Sequence, residues 1–185
     1  MLLAIVSFGV VSIGAPDGLN ISTLTRELKH KDLRYRRSAV TTLGGMKAKA
    51  ADAVPAMIET LGDPEERVRT AASFALAQMG PPAVPGLLAG LDHKDSQVRF
   101  GAASVLGMIG PEANAAAPTL TRLLKDPDET VRWAAAHALG EIGPQAKAAV
   151  AALLELQSED DAVLGPEAED AIRKIKAQPA DHLGP

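Results

Sequence analysis

The chain repeats one short pattern at intervals of about 33 residues, and no other feature limits its possible folds as strongly. In its clearest copy the pattern reads DPDETVRWAAAHALGEIG, from Asp126 to Gly143. Five copies align on one anchor position, which is occupied by Tyr35, Val68, Val98, Val131 and Leu164. The anchors are separated by 33, 30, 33 and 33 residues. Repetition at such a period is typical of a helical solenoid, in which each unit packs only against its neighbours.

Apolar residues inside each copy predict an α-helix with one buried stripe. Alanine stands four residues after every anchor, at Ala39, Ala72, Ala102, Ala135 and Ala168. Leucine or isoleucine follows eight residues after the anchor, and methionine or isoleucine follows eleven residues after it. These offsets fall on one side of an α-helix, so that side must be buried. The small alanine predicts that the backbone of a neighbouring helix comes close.

Proline and glycine predict where these helices begin and end. Asp63-Pro64 and Asp126-Pro127 predict an aspartate N-cap followed by proline at the first helical position. At the other end, glycine can adopt a left-handed conformation and the following proline cannot continue the helix. The pairs that mark these ends are Gly80-Pro81, Gly110-Pro111 and Gly143-Pro144.

A second, shorter helix precedes the longer one in each copy. Its apolar residues eleven positions before the anchor are Leu24, Met57, Leu87, Leu120 and Leu153. The fifth copy departs from the pattern because Gly165 replaces arginine, and we expect its longer helix to begin near Pro166, after an acidic linker from Ser158 to Asp161. The link Gly80 to Pro85 is three residues shorter than the link Gly110 to Pro118, which should tighten or tilt the stack locally.

The pattern D-x(4)-V-R-x-x-A-A-x-A-L-G-x-I-G-P resembles HEAT repeats, in particular the HEAT-like type named after phycobilisome lyases. The residues that carry the resemblance are Val131-Arg132, Ala134-Ala135, Ala138-Leu139-Gly140 and Ile142-Gly143-Pro144. The resemblance extends from about residue 20 to residue 177. It implies an all-α fold, a right-handed α-solenoid (superhelix) of about five helix pairs with a degenerate last pair. HEAT-like proteins include scaffolds, lyase subunits, a hydroxylase and DNA-repair enzymes, so the resemblance indicates the fold and leaves the function open.

The resemblance also implies a structural ladder, in which an acid near each turn pairs with the arginine of the next repeat. The candidates are Asp32, Asp63, Asp95 and Asp126, with Arg36, Arg69, Arg99 and Arg132. A catalytic group rarely recurs at every period, so we assign these residues a structural role.

Charge and composition narrow the possible partners. The formal net charge is −4 and the isoelectric point is about 5.6, so no overall positive charge attracts nucleic acid or an anionic membrane. The chain contains no cysteine, which excludes disulfides and thiolate zinc sites. An apolar content of 46% is enough for a continuous core.

Residues 1–15 form an uncharged apolar segment with two interpretations. It is too short and too rich in glycine for a membrane span. It fits a signal peptide with small residues near Ala15, although the basic residues that usually open one are missing. It also fits part of a preceding repeat, because Leu2, Val6 and Val10 fall in the repeat columns. We prefer an exported protein, periplasmic or extracellular, over a cytoplasmic one, with a repeat domain at 16–177 and a tail at 178–185.

The sequence offers no catalytic constellation, metal site or cofactor motif. The HEAT-like hydroxylase holds iron with His-Glu dipeptides, whereas the histidines here are followed by Lys31, Lys94, Ala138 and Leu183. The triplets His30-Lys31-Asp32 and His93-Lys94-Asp95 lie two repeats apart, roughly 20 Å at the usual helix spacing, so they cannot share an ion. We interpret them as turn structure. The predicted function is a non-enzymatic, bacterial-type protein-interaction scaffold, and a lyase-type enzyme or enzyme subunit is the alternative.

The side of the longer helix opposite the buried stripe is the candidate partner surface. Offsets 2, 6 and 9 point to that side, and small residues at offset 9 should leave room above the backbone. The resemblance implies that this side lines the concave face of the solenoid. The predicted aromatic groove consists of Phe74, Phe100, Trp133, Met108 and His137, with a charged rim of Arg34, Arg37 and Arg67. Clustered exposed aromatics are typical of binding hot spots for another protein or peptide. The alternative is that Phe100 and Trp133 only stack across repeats and cover backbone.

Overall fold

A computed structural model describes residues 20–157 and 163–177 of the chain. The expectations for the apolar segment 1–15, the acidic linker 158–161 and the tail 178–185 fall outside these residues. All regular structure in the described part is helical, and it contains no β-strand. None of its helices is long and apolar enough to cross a membrane.

Ten α-helices in the described part form five pairs, and each pair is one repeat. The first helices are short: α1 (Ile21–Glu27), α3 (Val54–Glu59), α5 (Val84–Gly90), α7 (Ala117–Leu123) and α9 (Val150–Gln157). The second helices are longer: α2 (Leu33–Met46), α4 (Glu66–Met79), α6 (Ser96–Ile109), α8 (Glu129–Ile142) and α10 (Leu164–Lys176). Segments of 3₁₀ helix join the pairs at Lys47–Ala53, Pro81–Ala83, Gly110–Ala116 and Gly143–Ala149, and another, Thr60–Gly62, joins α3 to α4. This arrangement confirms the predicted all-α solenoid of helix pairs. The start of α10 differs slightly, at Leu164 rather than near Pro166.

The core follows the repeat columns. The alanine column is fully buried in all five repeats, and so are the leucines eight residues after the anchor in the first four. The first helices contribute their own column: Leu24, Met57, Leu87, Leu120 and Leu153. One continuous cluster therefore runs through the stack, as expected when no repeat can bury its apolar side alone.

Tyr35 is the exception among the anchors. Tyr35 is 48% exposed to solvent, whereas the other four anchors are buried. An anchor packs against the preceding repeat, as Val98 does against Gly62. The corresponding neighbour of Tyr35 would lie before residue 20, outside the described residues. Its ring instead contacts His30, with the ring centroids 4.3 Å apart. The prediction that Tyr35 belongs to the buried stripe is therefore wrong.

The second helices begin two residues later than the Asp-Pro pairs predict. Glu65 precedes α4 and Asp128 precedes α8 as the N-cap residues. The Oδ1 atom of Asp63 accepts a hydrogen bond from the backbone N–H of Glu65 at 2.9 Å. Asp126 accepts the equivalent bond from Asp128 at 2.9 Å. The prediction that Asp63 and Asp126 are N-caps was wrong because their side chains close the turn before the helix.

The predicted helix ends at Gly80, Gly110 and Gly143 are confirmed, although ψ angles of −140°, −136° and −142° place these glycines outside the left-handed helical conformation that was expected. Gly80, Gly110 and Gly143 have φ angles of 65°, 73° and 73°, which glycine adopts without a steric cost. The first repeat has Lys47 at this position, with φ at 50°. Lys47 is the only non-glycine residue with positive φ in the described part of the chain, so the first repeat carries local strain that the other repeats avoid.

Candidate functional site

An arginine one residue after the anchor holds the turn between the two helices of a repeat. Nη1 of Arg36 donates hydrogen bonds to the carbonyl oxygens of His30 (2.9 Å) and Lys31 (3.1 Å). The equivalent pair of bonds is made, each within its own repeat, by Arg69, Arg99 and Arg132. Each guanidinium is therefore held by the same two carbonyl positions in the first four repeats.

Two of these arginines also bind an aspartate of the following repeat. Nε and Nη2 of Arg36 donate to Oδ2 and Oδ1 of Asp63 at 2.7 and 2.9 Å. Arg99 binds Asp126 in the same way, at 2.9 and 2.8 Å. The four side chains are between 5% and 13% exposed. The hydrogen bonds to aspartate raise the pKa of both arginines above its ordinary value. Two-point, charge-assisted pairs of this kind fix geometry as well as adding stability.

This ladder differs from the prediction in direction and in extent. Each observed rung joins an arginine to the aspartate of the following repeat, whereas the opposite direction was expected. Asp32 and Asp95 are not rungs. They cap α2 and α6, where they accept hydrogen bonds from the backbone N–H groups of Arg34 and Gln97. The two kinds of aspartate differ in their position in the repeat. Asp32 and Asp95 stand three residues before their anchors, where they cap the helix, whereas the rung aspartates stand five residues before theirs.

In the third repeat, His93 stands five residues before the anchor, which is the position of the rung aspartates Asp63 and Asp126 in repeats two and four. We call this the rung position. The Nδ1 atom of His93 accepts a hydrogen bond from the backbone N–H of Asp95 at 3.1 Å, so the imidazole closes the turn as an aspartate does. It offers no carboxylate to Arg69 of the preceding repeat, and Arg69 forms no ion pair within residues 20–157 and 163–177. His30 makes the same bond to Asp32 at 3.0 Å. The triplets His30-Lys31-Asp32 and His93-Lys94-Asp95 therefore form turns, in agreement with their interpretation from the sequence.

The N-cap aspartates Asp32 and Asp128 have pKa values lowered to about 2. The main cause at Asp32 is the hydrogen bond from Arg34, whose Nη2 lies 2.6 Å from Oδ2. At Asp128 it is a hydrogen bond with the Ser96 side chain, followed by one with Thr130. Because Ser96 belongs to α6, this cap also joins α6 to α8. Arg34, which was predicted to belong to the rim, is already paired with Asp32.

A glycine nine residues after the anchor lets neighbouring second helices touch. A Cβ atom built on Gly44 of α2 would lie 2.6 Å from the Cβ atom of Ala75 in α4. The same close approach joins two further pairs of second helices, through Gly107–Ala138 and Gly140–Ala171. Sequence reasoning expected open space above these glycines. That expectation was wrong, because the glycines are the points at which the next helix packs.

The junction between α4 and α6 has larger residues at these positions. Ala77 stands in place of the glycine, and Val105 stands in place of the alanine. The two helices share a smaller contact than the other neighbouring second helices. A cleft of about 380 Å³ opens between them. Its lining residues are Leu61, Glu66, Arg69, Thr70, Ser73, Gln97, Phe100, Gly101, Ser104 and Thr130.

Two shallower depressions adjoin this cleft. The first lies on α2 and α4 and is lined by Arg37, Glu66, Arg67, Thr70, Ala71 and Phe74. The second is lined by Phe100, Glu129, Thr130, Trp133 and Val163. The cleft shares Glu66 and Thr70 with the first depression, and it shares Phe100 and Thr130 with the second. The three form one continuous surface across α2, α4, α6 and α8, which we call the strip.

Five of the eight predicted site residues line the strip: Phe74, Phe100, Trp133, Arg37 and Arg67. Phe74 is 57% exposed. Phe100 and Trp133 are half-buried and pack against the core. These two rings therefore have both a packing role and a face on the strip.

The structure places His137 and Met108 differently from the prediction. His137 stacks on Trp133, with the ring centroids 5.2 Å apart, and its Nδ1 atom lies 3.0 Å from Oε1 of Glu167 in α10. It therefore joins α8 to the last repeat. Met108 is 49% exposed in the last turn of α6. It is not among the residues that line the strip.

Sequence reasoning missed the polar part of the strip, including Arg69, Thr70 and Gln97. The signal was present in two departures from the repeat columns. His93 stands where repeats two and four have aspartate, and Val105 stands where its neighbours have alanine. Among the residues that the structure describes, no three His, Asp or Glu side chains cluster closely enough to hold a metal ion.

The repeat spacing and the paired helices agree with the comparison with known families. The model of the family described as HEAT repeats matches residues 21–91 and 84–173. The chain is a HEAT-repeat protein. No curated protein sequence is significantly similar to it.

Solved structures similar to this HEAT-repeat protein include a lyase complex, a designed repeat protein with a bound peptide and a structure concerned with microtubule plus end tracking. The complex of CpcE and CpcF of phycocyanin lyase from Nostoc sp. PCC7120 matches with 27% identity and a TM-score of 0.61, over 92% of this chain and 71% of that chain. A designed armadillo repeat protein in complex with the peptide (KR)4 matches with 20% identity and a TM-score of 0.55, over 84% and 81%. A structure concerned with microtubule plus end tracking by XMAP215, CLIP-170 and EB1 matches with 19% identity and a TM-score of 0.62, over 86% and 76%. The last two similarities concern the fold alone.

Proposed function

We propose that this HEAT-repeat protein is a non-enzymatic scaffold that binds a segment of another protein along the strip. The observation that carries the proposal is the continuity of the strip across four second helices. A surface of this length suits an extended segment, which can contact several repeats at once. In HEAT solenoids the second helices line the concave face, and we propose that the strip lies on it.

The side chains of the strip suit protein recognition. Phe74 offers an exposed aromatic ring between Arg37 and Arg67. Phe100 and Trp133 offer the free faces of rings whose other sides pack against the core, so they lose little conformational entropy on binding. Aromatic and arginine side chains contribute most of the energy at many protein interfaces.

The test starts by capturing the partner from the source organism on the immobilised full chain and identifying it by mass spectrometry. The dissociation constant is then measured with both proteins purified. We expect Phe74→Ala to weaken binding by roughly thirtyfold, the effect of a hot spot worth about 2 kcal/mol. We expect Trp133→Ala to abolish binding and to lower the melting temperature, because one side of the ring packs against the core, while the circular dichroism spectrum at the assay temperature stays that of a folded protein.

Leu154→Ala is the matched control, because Leu154 is 47% exposed on the first helix α9, away from the strip. It should leave the dissociation constant unchanged. Binding that survives both Phe74→Ala and Trp133→Ala would place the partner elsewhere. A Trp133→Ala variant that loses its fold would assign Trp133 to the packing between repeats.

The alternative function is an enzyme or enzyme subunit of the phycobilisome lyase-like HEAT type. The similarity to the CpcE–CpcF complex, at 27% identity over 92% of this chain, favours this alternative. Incubation of the purified chain with a free bilin, followed by denaturing electrophoresis and absorbance, distinguishes the two. A covalently held bilin, or one transferred to an acceptor protein, would overturn the scaffold proposal.

A further inference from the structure

The guanidinium of Arg69 is placed to bind a carboxylate, and no residue in 20–157 or 163–177 supplies one. Nη1 of Arg69 donates to the carbonyl oxygens of Asp63 (2.7 Å) and Pro64 (3.1 Å), the same two positions that hold Arg36 and Arg99. In Arg36 and Arg99 the remaining edge, Nε and Nη2, binds an aspartate of the following repeat. Among the described residues, no carboxylate lies within ion-pair distance of Arg69, because His93 occupies that aspartate position.

The same junction provides the space for a carboxylate from outside. Ala77 and Val105 replace the glycine and alanine that bring the other second helices together, and the cleft of about 380 Å³ lies between α4 and α6. Arg69 lines this cleft together with the polar side chains of Ser73, Gln97 and Ser104 and the ring of Phe100. An arginine edge, hydroxyl and amide groups, and an apolar ring in one cleft can hold an acidic residue and an apolar neighbour.

The charges that line the strip also favour an acidic ligand. The charged lining residues of the strip are Arg37, Arg67, Arg69, Glu66 and Glu129, three cations against two anions. The whole chain, in contrast, has a formal net charge of −4. Glu66 also lines the cleft and would repel additional negative charge there, which favours a single acidic residue over an acidic run.

We propose that the cleft between the second and third repeats is a receptor for one aspartate or glutamate side chain of the partner segment, next to a large apolar residue. The carboxylate enters from the cleft and accepts hydrogen bonds from Nε and Nη2 of Arg69, to which His93 offers no carboxylate. The apolar neighbour packs on Phe100. This inference rests on the proposed function, and it adds the chemistry of the partner.

His93→Asp tests the proposal without changing a residue that lines the strip. The new aspartate keeps the turn hydrogen bond to Asp95, as Asp63 and Asp126 do in their repeats, and it supplies Arg69 with an internal carboxylate. His93→Asn is the matched control, because its side-chain oxygen keeps the turn bond without a negative charge. Circular dichroism and melting curves verify that both variants are folded.

The probe is a phage-displayed library of random dodecapeptides, selected on the full-length wild-type chain. Selected peptides are synthesised with a fluorophore, and binding is measured by fluorescence anisotropy. We expect them to contain an acidic residue beside a large apolar one. Changing that acid to its amide should weaken binding by about tenfold or more, as expected for hydrogen bonds to a charged group.

The acidic residue of the peptide should no longer contribute to binding in two variants of the protein. With His93→Asp, binding weakens by a similar factor, and the acid-to-amide change in the peptide no longer matters. Arg69→Gln gives the same result by removing the receptor directly, whereas His93→Asn behaves as the wild type does.

Three outcomes overturn the inference. Peptides that lose binding with Phe74→Ala, but have no required acid, would keep the proposed strip and refute the carboxylate receptor. Full binding of acid-dependent peptides to both His93→Asp and Arg69→Gln would refute the role of Arg69. A selection that yields no binding peptide would refute the inference and the proposed peptide-binding function together.

Discussion

Alanine in place of Gly44 tests whether glycine sets the separation of neighbouring second helices. A Cβ atom at this position would lie 2.6 Å from Cβ and 2.8 Å from Cα of Ala75. The Cα atom belongs to the backbone of α4, so no side-chain rotation relieves the clash. Either α2 or α4 must move, and the contacts along their shared length must be lost in part.

The adjacent residue Gly45 provides the matched control. A Cβ atom there meets no atom within 4 Å. Both substitutions gain the same intrinsic helix propensity, about 1 kcal/mol in a helix interior and less near its end. Overpacking affects only Gly44→Ala and typically costs about 1–3 kcal/mol. We therefore expect Gly44→Ala to be less stable than Gly45→Ala by about 1–3 kcal/mol, with Gly45→Ala at least as stable as the wild type.

Urea unfolding followed by far-ultraviolet circular dichroism measures this difference. Gly44→Ala should lower the midpoint, and Gly45→Ala should leave it unchanged or raise it. Equal midpoints for the two variants would show that α2 and α4 separate at no cost. The explanation of the cleft by Ala77 and Val105 would then fail as well, because it depends on the same contact.

Three further predictions concern the core and the charged residues. Ala102→Leu should lower the free energy of unfolding by about 1–3 kcal/mol through overpacking, and an unchanged denaturation midpoint would contradict the burial of the alanine column. Asp126→Asn should cost about 3 kcal/mol, since it leaves the nearly buried Arg99 without its charge partner. Asp92→Asn, which removes the exposed ion pair between Asp92 and Arg122, should cost below about 1 kcal/mol. Equal losses of stability in the two variants would contradict the distinction between buried and exposed pairs. Finally, stability should fall as the pH is lowered from 4 to 2, because the pKa of Asp128 is depressed to about 2 and its stabilising contribution is lost on protonation. Asp128→Asn should make thermal melting less dependent on pH over that range.

The repeat columns were sufficient to predict the fold. A position that recurs at every period is buried or exposed for the same reason each time, so Ala102 and Leu106 could be assigned to the core without a structure. Tyr35 was wrongly assigned to the core. An anchor is buried by the preceding repeat, and the described residues contain no repeat before the first. The helix starts were also wrongly predicted, because an Asp-Pro pair can close a turn before a helix as well as cap one.

The candidate site was predicted only in part for a related reason. Helical periodicity places Phe74, Phe100 and Trp133 on one side of their helices, and that side lines the strip. Periodicity within one helix does not tell how far apart two helices lie. The glycines nine residues after the anchor were therefore interpreted as open surface, although Gly44 and Gly140 are points of close packing. The distance between helices depends on pairs of residues from adjacent repeats, and single columns do not contain that information.

The chain is better described as two similar pairs of repeats followed by a fifth repeat than as five equivalent copies. Tyr35 and Val98 are 63 residues apart, and so are Val68 and Val131. Repeats one and three share histidine at the rung position, and repeats two and four share aspartate, so a rung forms inside each pair. The short link, the missing rung and the larger residues Ala77 and Val105 all fall between the pairs. Their coincidence explains why the cleft lies at this junction, and it places Arg69 where the internal ladder stops and a partner carboxylate could continue it.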